Sequence, residues 1–384
     1  MVGVSTPSAP GSGVAPPVPF PDCVPVLSDG RVVLRAHARS DAARIVEQSV
    51  DPDSVRWTTV PKPYREADAR TWLEEIERGW TSGKGPWHWA VTDAVDPRTY
   101  LGTVDVRPQG AGIAKTGFGL HPQGRGRHLM SSALRLATQW WFDGGGVRMF
   151  WEANRGNFAS WRVAHACGFT FHGVMPQLLP HRDVATDGWT ASVGRDDDLT
   201  RPATPWREAV PLEGGGIRLR DWRESDIEAV EPGDSPSHFM PPRAEPTVET
   251  FAEWLLRRRE QMARGEATHW CIADATTDRA LGDLVLIDLD QEEGSAELGY
   301  VLFRSARGRG AATAAGRLAV AHAFASSDEG GRELRRLTAL TVGDNEPSAR
   351  VLQRLGFTEW GREPQFCPRG DGSFDDARHW VLFP

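Results

Sequence analysis

The chain has 384 residues, more than one ordinary domain needs, so two packed cores of roughly 150 to 200 residues each are expected. Hydrophobic residues at 40% and charged residues at 25% exclude the collagenous, wholly disordered and membrane-spanning classes, and no apolar run approaches spanning length. The formal net charge of −8 belongs to the second half, since residues 1–200 hold 21 Lys+Arg against 21 Asp+Glu while residues 201–384 hold 23 against 31; this argues against a nucleic-acid partner and for a cationic one.

Met1 to Pro25 is rich in Pro, Gly, Ser and Ala and lacks the basic start and continuous apolar stretch of a secretory signal, so residues 1–27 are expected to form a disordered tail. Trp87 to Thr92 and Tyr100 to Val106 alternate and carry β-formers, which predicts strands, and Gly117 to Leu120 begins the next one. After Gly126 the apolar residues Leu129, Met130, Ala133, Leu134, Ala137, Trp140 and Trp141 recur at three and four, predicting a helix to about Phe142. Ser160 to Ala166 follows as a short helix stopped by Gly168-Phe169. Asp196-Asp-Asp198 with Pro202, Pro205 and Pro211 reads as a solvated linker, residues 196–213. Beyond it Ala311 to Phe324 is the long helix and Ser348 to Leu355 the short one. Cys23, Cys167, Cys271 and Cys367 lie far apart with no ligand spacing, so neither a disulfide framework nor a metal site is expected, and a reducing cytoplasm is the default.

The two halves repeat in order at an offset of about 180 to 190 residues, which suits duplicated domains, expected at 28–195 and 214–384. Gly30 to Arg35 with Ser40-Asp41 answers Gly216 to Arg220 with Ser225-Asp226, and Leu101-Gly102 answers Leu281-Gly282. Gly117-Phe118-Gly-Leu120 answers Gly299-Tyr300-Val-Leu302, and Gln123 to Gly126 is matched with Arg307 to Gly310. Asn157, Ser160 and Gly168-Phe169 answer Asn345, Ser348 and Gly356-Phe357.

A Gly-rich turn between a strand and a helix offers unpaired backbone N–H groups at the positive end of the helix dipole, which suits a pyrophosphate. The second half reads Arg307-Gly308-Arg309-Gly310-Ala311-Ala312 and the first Gln123-Gly124-Arg125-Gly126-Arg127-His128. The glycines let oxygens reach the backbone, and the arginines add charge-assisted hydrogen bonds.

With Asn-x-x-Ser and Gly-Phe some 35 residues on, both halves resemble the GNAT acetyltransferase superfamily, whose pyrophosphate loop is [RQ]-x-x-G-x-[GA]. Ala296-Glu-Leu-Gly-Tyr300 and Asn345-x-x-Ser to Gly-Phe357 are similar to its RimJ/RimL branch. The resemblance implies an α/β fold of two tandem mixed sheets, six- or seven-stranded and flanked by helices, with acetyl-CoA as cosubstrate where the two central strands splay apart. It implies that Asn345 and Asn157 fix local backbone and cofactor, and that the second half is catalytic, because His128 displaces a small residue from the first loop and Lys115 stands at the place of Glu297. The catalytic tyrosine of many relatives is replaced by Leu352 and Ala164.

An ammonium must lose its proton before attacking a thioester, so Glu297 is assigned as general base or else is an ordinary strand residue. Ser348 protonates the leaving thiolate or caps its helix, and a backbone N–H around Leu284 to Ile287 holds the oxyanion. The expected acceptor is the N-terminal amine of a peptide or protein, such as a ribosomal protein or peptide natural product. A self-resistance enzyme for a small cationic antibiotic and a non-catalytic acetyl-CoA scaffold remain as alternatives, and the chain is a monomer, as a pseudo-dimer, or a homodimer. Trp140 and Trp141 sit at core spacing, whereas Trp57, Trp80 and Trp87 are candidates to wall a peptide groove. Asp288, Asp290, Glu292 and Glu293 either meet a cationic substrate or form a solvated turn.

Overall fold

The computed structural model describes residues 24–233, 244–290, 292–369 and 371–384, so residues 1–23 of the expected tail lie outside it. The chain divides into two compact units, residues 1–203 and 204–384. From residue 204 onward the segment expected to be linker packs onto the second unit: Ala209 enters its core and Arg207 donates to Asp288.

In the first unit the strands are β1 (Leu27–Ser28), β2 (Val32–Arg35), β3 (Trp87–Asp93), β4 (Tyr100–Gly110), β5 (Ile113–Leu120), β6 (Arg148–Asn154), β7 (Thr170–His181) and β8 (Val184–Gly194). Its helices are α1 (Ala42–Val50), α2 (Pro52–Trp57), α3 (Glu66–Thr81), α4 (Leu129–Asp143) and α5 (Phe158–His165). The second unit has β9 (Leu212–Gly214), β10 (Ile217–Arg220), β11 (Ala267–Asp274), β12 (Ala280–Asp290), β13 (Ser295–Leu302), β14 (Arg336–Val342), β15 (Thr358–Pro368) and β16 (Phe374–Leu382), with α6 (Phe251–Ala263), α7 (Ala311–Phe324) and α8 (Glu346–Arg354).

Among the described residues each unit forms one mixed sheet, in the orders β1-β2-β3-β4-β5-β6-β8-β7 and β9-β10-β11-β12-β13-β14-β16-β15. Eight strands stand where six or seven were expected, because the short edge strands β1 and β9 pair antiparallel with β2 and β10. The one parallel pair in each sheet is joined by the long helix, the crossover that parallel strands require. It is brief. β5 is in register with β6 only over Ile113–Thr116, and β13 with β14 only over Ser295–Glu297. Beyond those residues the two central strands diverge.

The repeated sequence blocks have physical causes. Arg35 grips Asp41 through two hydrogen bonds of 2.8 and 2.9 Å, and Arg220 grips Asp226 the same way at 2.9 and 2.8 Å. A Cβ at Gly102 would sit 2.4 Å from the Gly119 carbonyl oxygen, and one at Gly282 2.1 Å from that of Val301, so both Leu-Gly pairs mark close strand approaches. On α7 the buried face is Ala311, Ala315, Ala319 and Ala323, one residue per turn, against a sheet that contributes Leu284, Leu286, Leu298 and Trp380. In the first unit Trp80 and Trp87 are 5% and 4% exposed and join Trp89, Trp140 and Trp141 in a tryptophan cluster, so those two build core instead of walling a groove. No helix among the described residues is long and apolar enough to cross a membrane.

Candidate active site

In the second domain a cavity of about 410 Å³ opens where β13 leaves β14, bringing together Tyr300, Arg307, Gly310, Ala312, Asn345 and Ser348. A short 3₁₀ turn, Arg304–Ala306, leads from β13 into the Gly-rich loop. Gly308 and Gly310 have φ of +75° and +80°, a region costly for any residue with a Cβ, and a Cβ at either would project into open space. The first helical hydrogen bond of α7 runs from Ala314 N to Gly310 O at 3.0 Å. The N–H groups of Ala311, Ala312 and Thr313 therefore lack intrahelical partners, at the positive end of the helix, and all three residues line the cavity. Arg307 is steadied by its own Nε donating to Leu302 O at 3.1 Å. Arg309, Arg350 and Arg354 make no ion pair among the described residues, and the last two also line the cavity.

Asn345 is the N-cap of α8: its Oδ1 accepts from Ser348 N at 3.2 Å. That settles which residue caps the helix and frees the Ser348 hydroxyl. Its Oγ lies 2.8 Å from the Tyr300 hydroxyl, which is also 3.1 Å from the Ser348 carbonyl oxygen. Burial pushes the Tyr300 phenol up to about 12, with the Ser348 hydrogen bond opposing, so it stays protonated at neutral pH and can donate. The position where relatives place a catalytic tyrosine does hold Leu352, but the cavity has a phenol, delivered by the strand instead of the helix. Sequence reading missed it. The available signal was the contrast between Tyr300 and Phe118 within the otherwise matching Gly-x-x-Leu blocks.

Glu297 does not line this cavity. It is the last residue of β13 in register with β14, and the strand alternation that sends Ala296 and Leu298 into the α7 core turns Glu297 to the other face. There it is half-buried, and burial raises its carboxyl above the ordinary range while nearby His379 pulls it down. The stretch Leu284 to Ile287, expected to hold an oxyanion, is interior: it is in register with both β11 and β13. The backbone that borders the gap belongs to β13 from Leu298 onward. Asp288 is likewise committed, since Arg207 and Arg332 both donate to its carboxylate, and Glu293 pairs with Arg335 and Arg336.

The first domain carries the same frame with different fittings, and the loop register shifts. Its 3₁₀ turn, Pro122–Gly124, corresponds to Arg304–Ala306, and His128 is the left-handed N-cap of α4 as Gly310 is of α7. Arg125 therefore answers Arg307, Gly126 answers Gly308 and His128 answers Gly310, two residues off the match drawn from sequence. The uniform spacing of 182 residues from Leu120 and Leu302 through both loops needs no gap. His128 thus stands where the second domain has Gly310, at φ +55°, and buried Met130 replaces Ala312. Arg125 is drawn to Asp51 and Asp53, Arg127 to Asp93, and the Gln123 side chain accepts from Arg44. Gly124 is buried beside Leu101. Asn157 caps α5 as Asn345 caps α8, but Ser160 Oγ accepts from the buried indole of Trp151 at 3.0 Å. Lys115, opposite in charge to Glu297, pairs with Glu152 at 2.7 Å. A pyrophosphate loop fits the second domain, where glycines, N–H groups without intrahelical partners and the side chains of Arg350 and Arg354 converge. The first domain's loop keeps Gly126 but has His128 in place of the second glycine, and its arginines are committed to Asp51, Asp53 and Asp93.

The acetyltransferase (GNAT) domain model matches residues 31–170 and again residues 217–358. The chain belongs to the GNAT acetyltransferase family. It carries the domain twice. It is 33% identical over 97 residues to an uncharacterized N-acetyltransferase p20 of Bacillus licheniformis, 25% of this chain and 52% of that one. It is 36% identical over 81 residues to a putative ribosomal N-acetyltransferase, YdaF, of Bacillus subtilis, 21% of this chain and 42% of that one. The chain spans about half the length of the curated relatives it matches. A solved probable GNAT acetyltransferase from Chromobacterium violaceum shares 22% identity, with a TM-score of 0.41 over 51% of this chain and 96% of that one.

Proposed function

We propose that the second GNAT domain transfers an acetyl group from acetyl-CoA to a primary amine, and that the first domain does not. The observation that carries this reading is the single cavity in which Tyr300, Ser348 and the Arg307–Ala312 loop converge. Acetyl-CoA supplies an activated acyl thioester. The rest falls to this chain's residues. The N–H groups of Ala311 and Ala312 and the side chains of Arg307 and Arg309 hold phosphate charge at the helix start. Tyr300, kept protonated by burial and aligned by Ser348, is the proton donor to a leaving thiolate at the mouth of the strand gap. Glu297, on the opposite sheet face, takes a proton from the incoming ammonium, directly or through a water.

The acceptor is the N-terminal amine of a peptide or protein, in keeping with the RimJ/RimL-like motifs and with the ribosomal name of the Bacillus subtilis relative. An α-amine with pKa about 7.8 is neutral roughly one time in seven at pH 7, against about one in 2,500 for a lysine-like amine, so one half-buried carboxylate suffices as base for the former. Thiol release measured with peptides against aminoglycosides tests this. Turnover confined to peptides with a free N-terminus is expected, and turnover of aminoglycosides alone would replace the peptide with a small cationic drug.

A further inference from the structure

We propose that the first domain is a binding module for an organic ammonium ion, which it holds in a cavity of its own and does not acetylate. The cavity has a volume of about 530 Å³, enough for a molecule of dipeptide size, and lies between α1–α3 and strands β3–β5. Aromatic walls come from Tyr64, Trp72 and Tyr100, and carboxylates from Asp68, Glu75 and Asp105. No lysine or arginine lines it. Arg107 offsets Asp105 from outside, with Nε 3.0 Å from Oδ1. Asp68 accepts from Arg65 N at the start of α3, and Glu75, exposed at the rim, has no ion-pair partner among the described residues. Burial holds His88 below its ordinary value, so this wall residue adds no positive charge at neutral pH. Rings and carboxylates facing one space, with Glu75 the carboxylate that has no ion-pair partner among the described residues, stabilise a cation with an apolar body: the carboxylates take the charge and the rings take the ammonium and its carbon neighbours.

The second domain shows that this arrangement is not a by-product of the fold. Where the first domain has His37, whose Nε2 lies 3.0 Å from Thr103 Oγ1, the second has Trp222, whose indole donates to Asp283 at 2.8 Å. Trp222, Phe251, Trp254 and Phe303 pack there into one buried cluster. His269 has both ring nitrogens partnered, by Asp283 at 3.3 Å and Gln261 at 3.1 Å, whereas in the first domain His88 Nε2 lies 3.6 Å from Asp105 and its buried Nδ1 has no side-chain partner among the described residues. Tyr100, at the cavity floor with its hydroxyl 3.0 Å from Thr103 Oγ1, answers Ala280. The first domain has lost the fittings of the donor site and kept a polar, aromatic acceptor-sized cavity.

The inference rests on the preceding reading only in taking the first domain as unable to transfer. The test is calorimetric titration of L-phenylalaninamide into the full chain without acetyl-CoA, with N-acetyl-L-phenylalaninamide as the neutral control. Binding of the amine but not of its neutral analogue is expected, weakened at least tenfold by Glu75→Lys and less by Glu75→Gln, both at an exposed position that leaves folding intact. Absence of binding, equal binding of the neutral analogue, or affinity unchanged in Glu75→Lys would overturn the proposal. Acetylation of the amide by a Gly310→Trp chain would show instead that the first domain transfers, which sinks the division of labour and the binding-only claim while leaving the ligand class standing.

Discussion

At the gap between the central strands the two GNAT domains solve one packing problem in opposite ways. In the first, Trp151 on β6 faces Ala191 on β8; in the second, Ala339 on β14 faces Trp380 on β16. The large and small partners have changed sides of the same cross-strand pair. Core volume is preserved, but the consequence for chemistry differs. Trp151 reaches Ser160 and takes up its hydroxyl, while Trp380 donates to Thr341 at 3.0 Å and leaves Ser348 to Tyr300. Duplicated folds retain what packing demands, the capping asparagines and the Leu-Gly approaches, and diverge where only catalysis is at stake.

The sharpest way to break this comparison is at the phenol. Tyr300→Phe should lower kcat about 100-fold with KM little changed, because a proton donor is removed and no binding surface is lost; the reciprocal Phe118→Tyr should create no activity in the first domain. Equal rates for Tyr300→Phe and the native chain would move the acid elsewhere. Next in size is Glu297. Its raised carboxyl must be ionised to act as base, so kcat/KM should fall as pH drops through a value above the ordinary 4.5 of a glutamate. In Glu297→Gln that limb should vanish and leave only the amine's own titration. The loss at neutral pH should be about tenfold or more for a lysine-like acceptor and smaller for an α-amine.

Smaller effects sharpen the contrast further. Asn345→Ala and Asn157→Ala should each cost about 1 kcal/mol of stability through loss of a helix cap, measured by denaturant unfolding, yet only the former should lower the rate. His128→Gly should stabilise the first domain by up to about 1 kcal/mol by relieving a left-handed histidine, without creating a second acetyl-CoA site, since Met130 and the ion pairs of Arg125 and Arg127 remain.

The sequence made the frame legible because its order of blocks reflects backbone demands: α7 spans Ala311–Phe324, as the repeat of the first half's helix predicted, and the two central strands diverge as the family resemblance implied. Helix starts were less legible. α4 begins at Leu129, three residues after Gly126, because the loop continues to a left-handed cap at His128, and a non-glycine cap gives no sequence signal. The same blindness produced the two-residue slip between the loops, where matching glycine letters competed with matching backbone positions. Glu297 and Tyr300 lie three apart on one strand, so alternation places them on opposite faces, something spacing alone does state; their partners, Ser348 and His379, come from elements far along the chain and do not. Asp288 was expected to meet a cationic substrate or lie in a solvated turn, and its side chain is instead held between Arg207 and Arg332, partners 81 and 44 residues away that the local sequence does not show.

The central claim is that one domain binds the donor and the other has lost the means to do so. Calorimetric titration of acetyl-CoA into the native chain, Gly310→Trp and Gly126→Trp tests it directly. One site per chain, abolished by Gly310→Trp and untouched by Gly126→Trp, is the predicted result; two sites, or a single site that survives Gly310→Trp and disappears in Gly126→Trp, would contradict it.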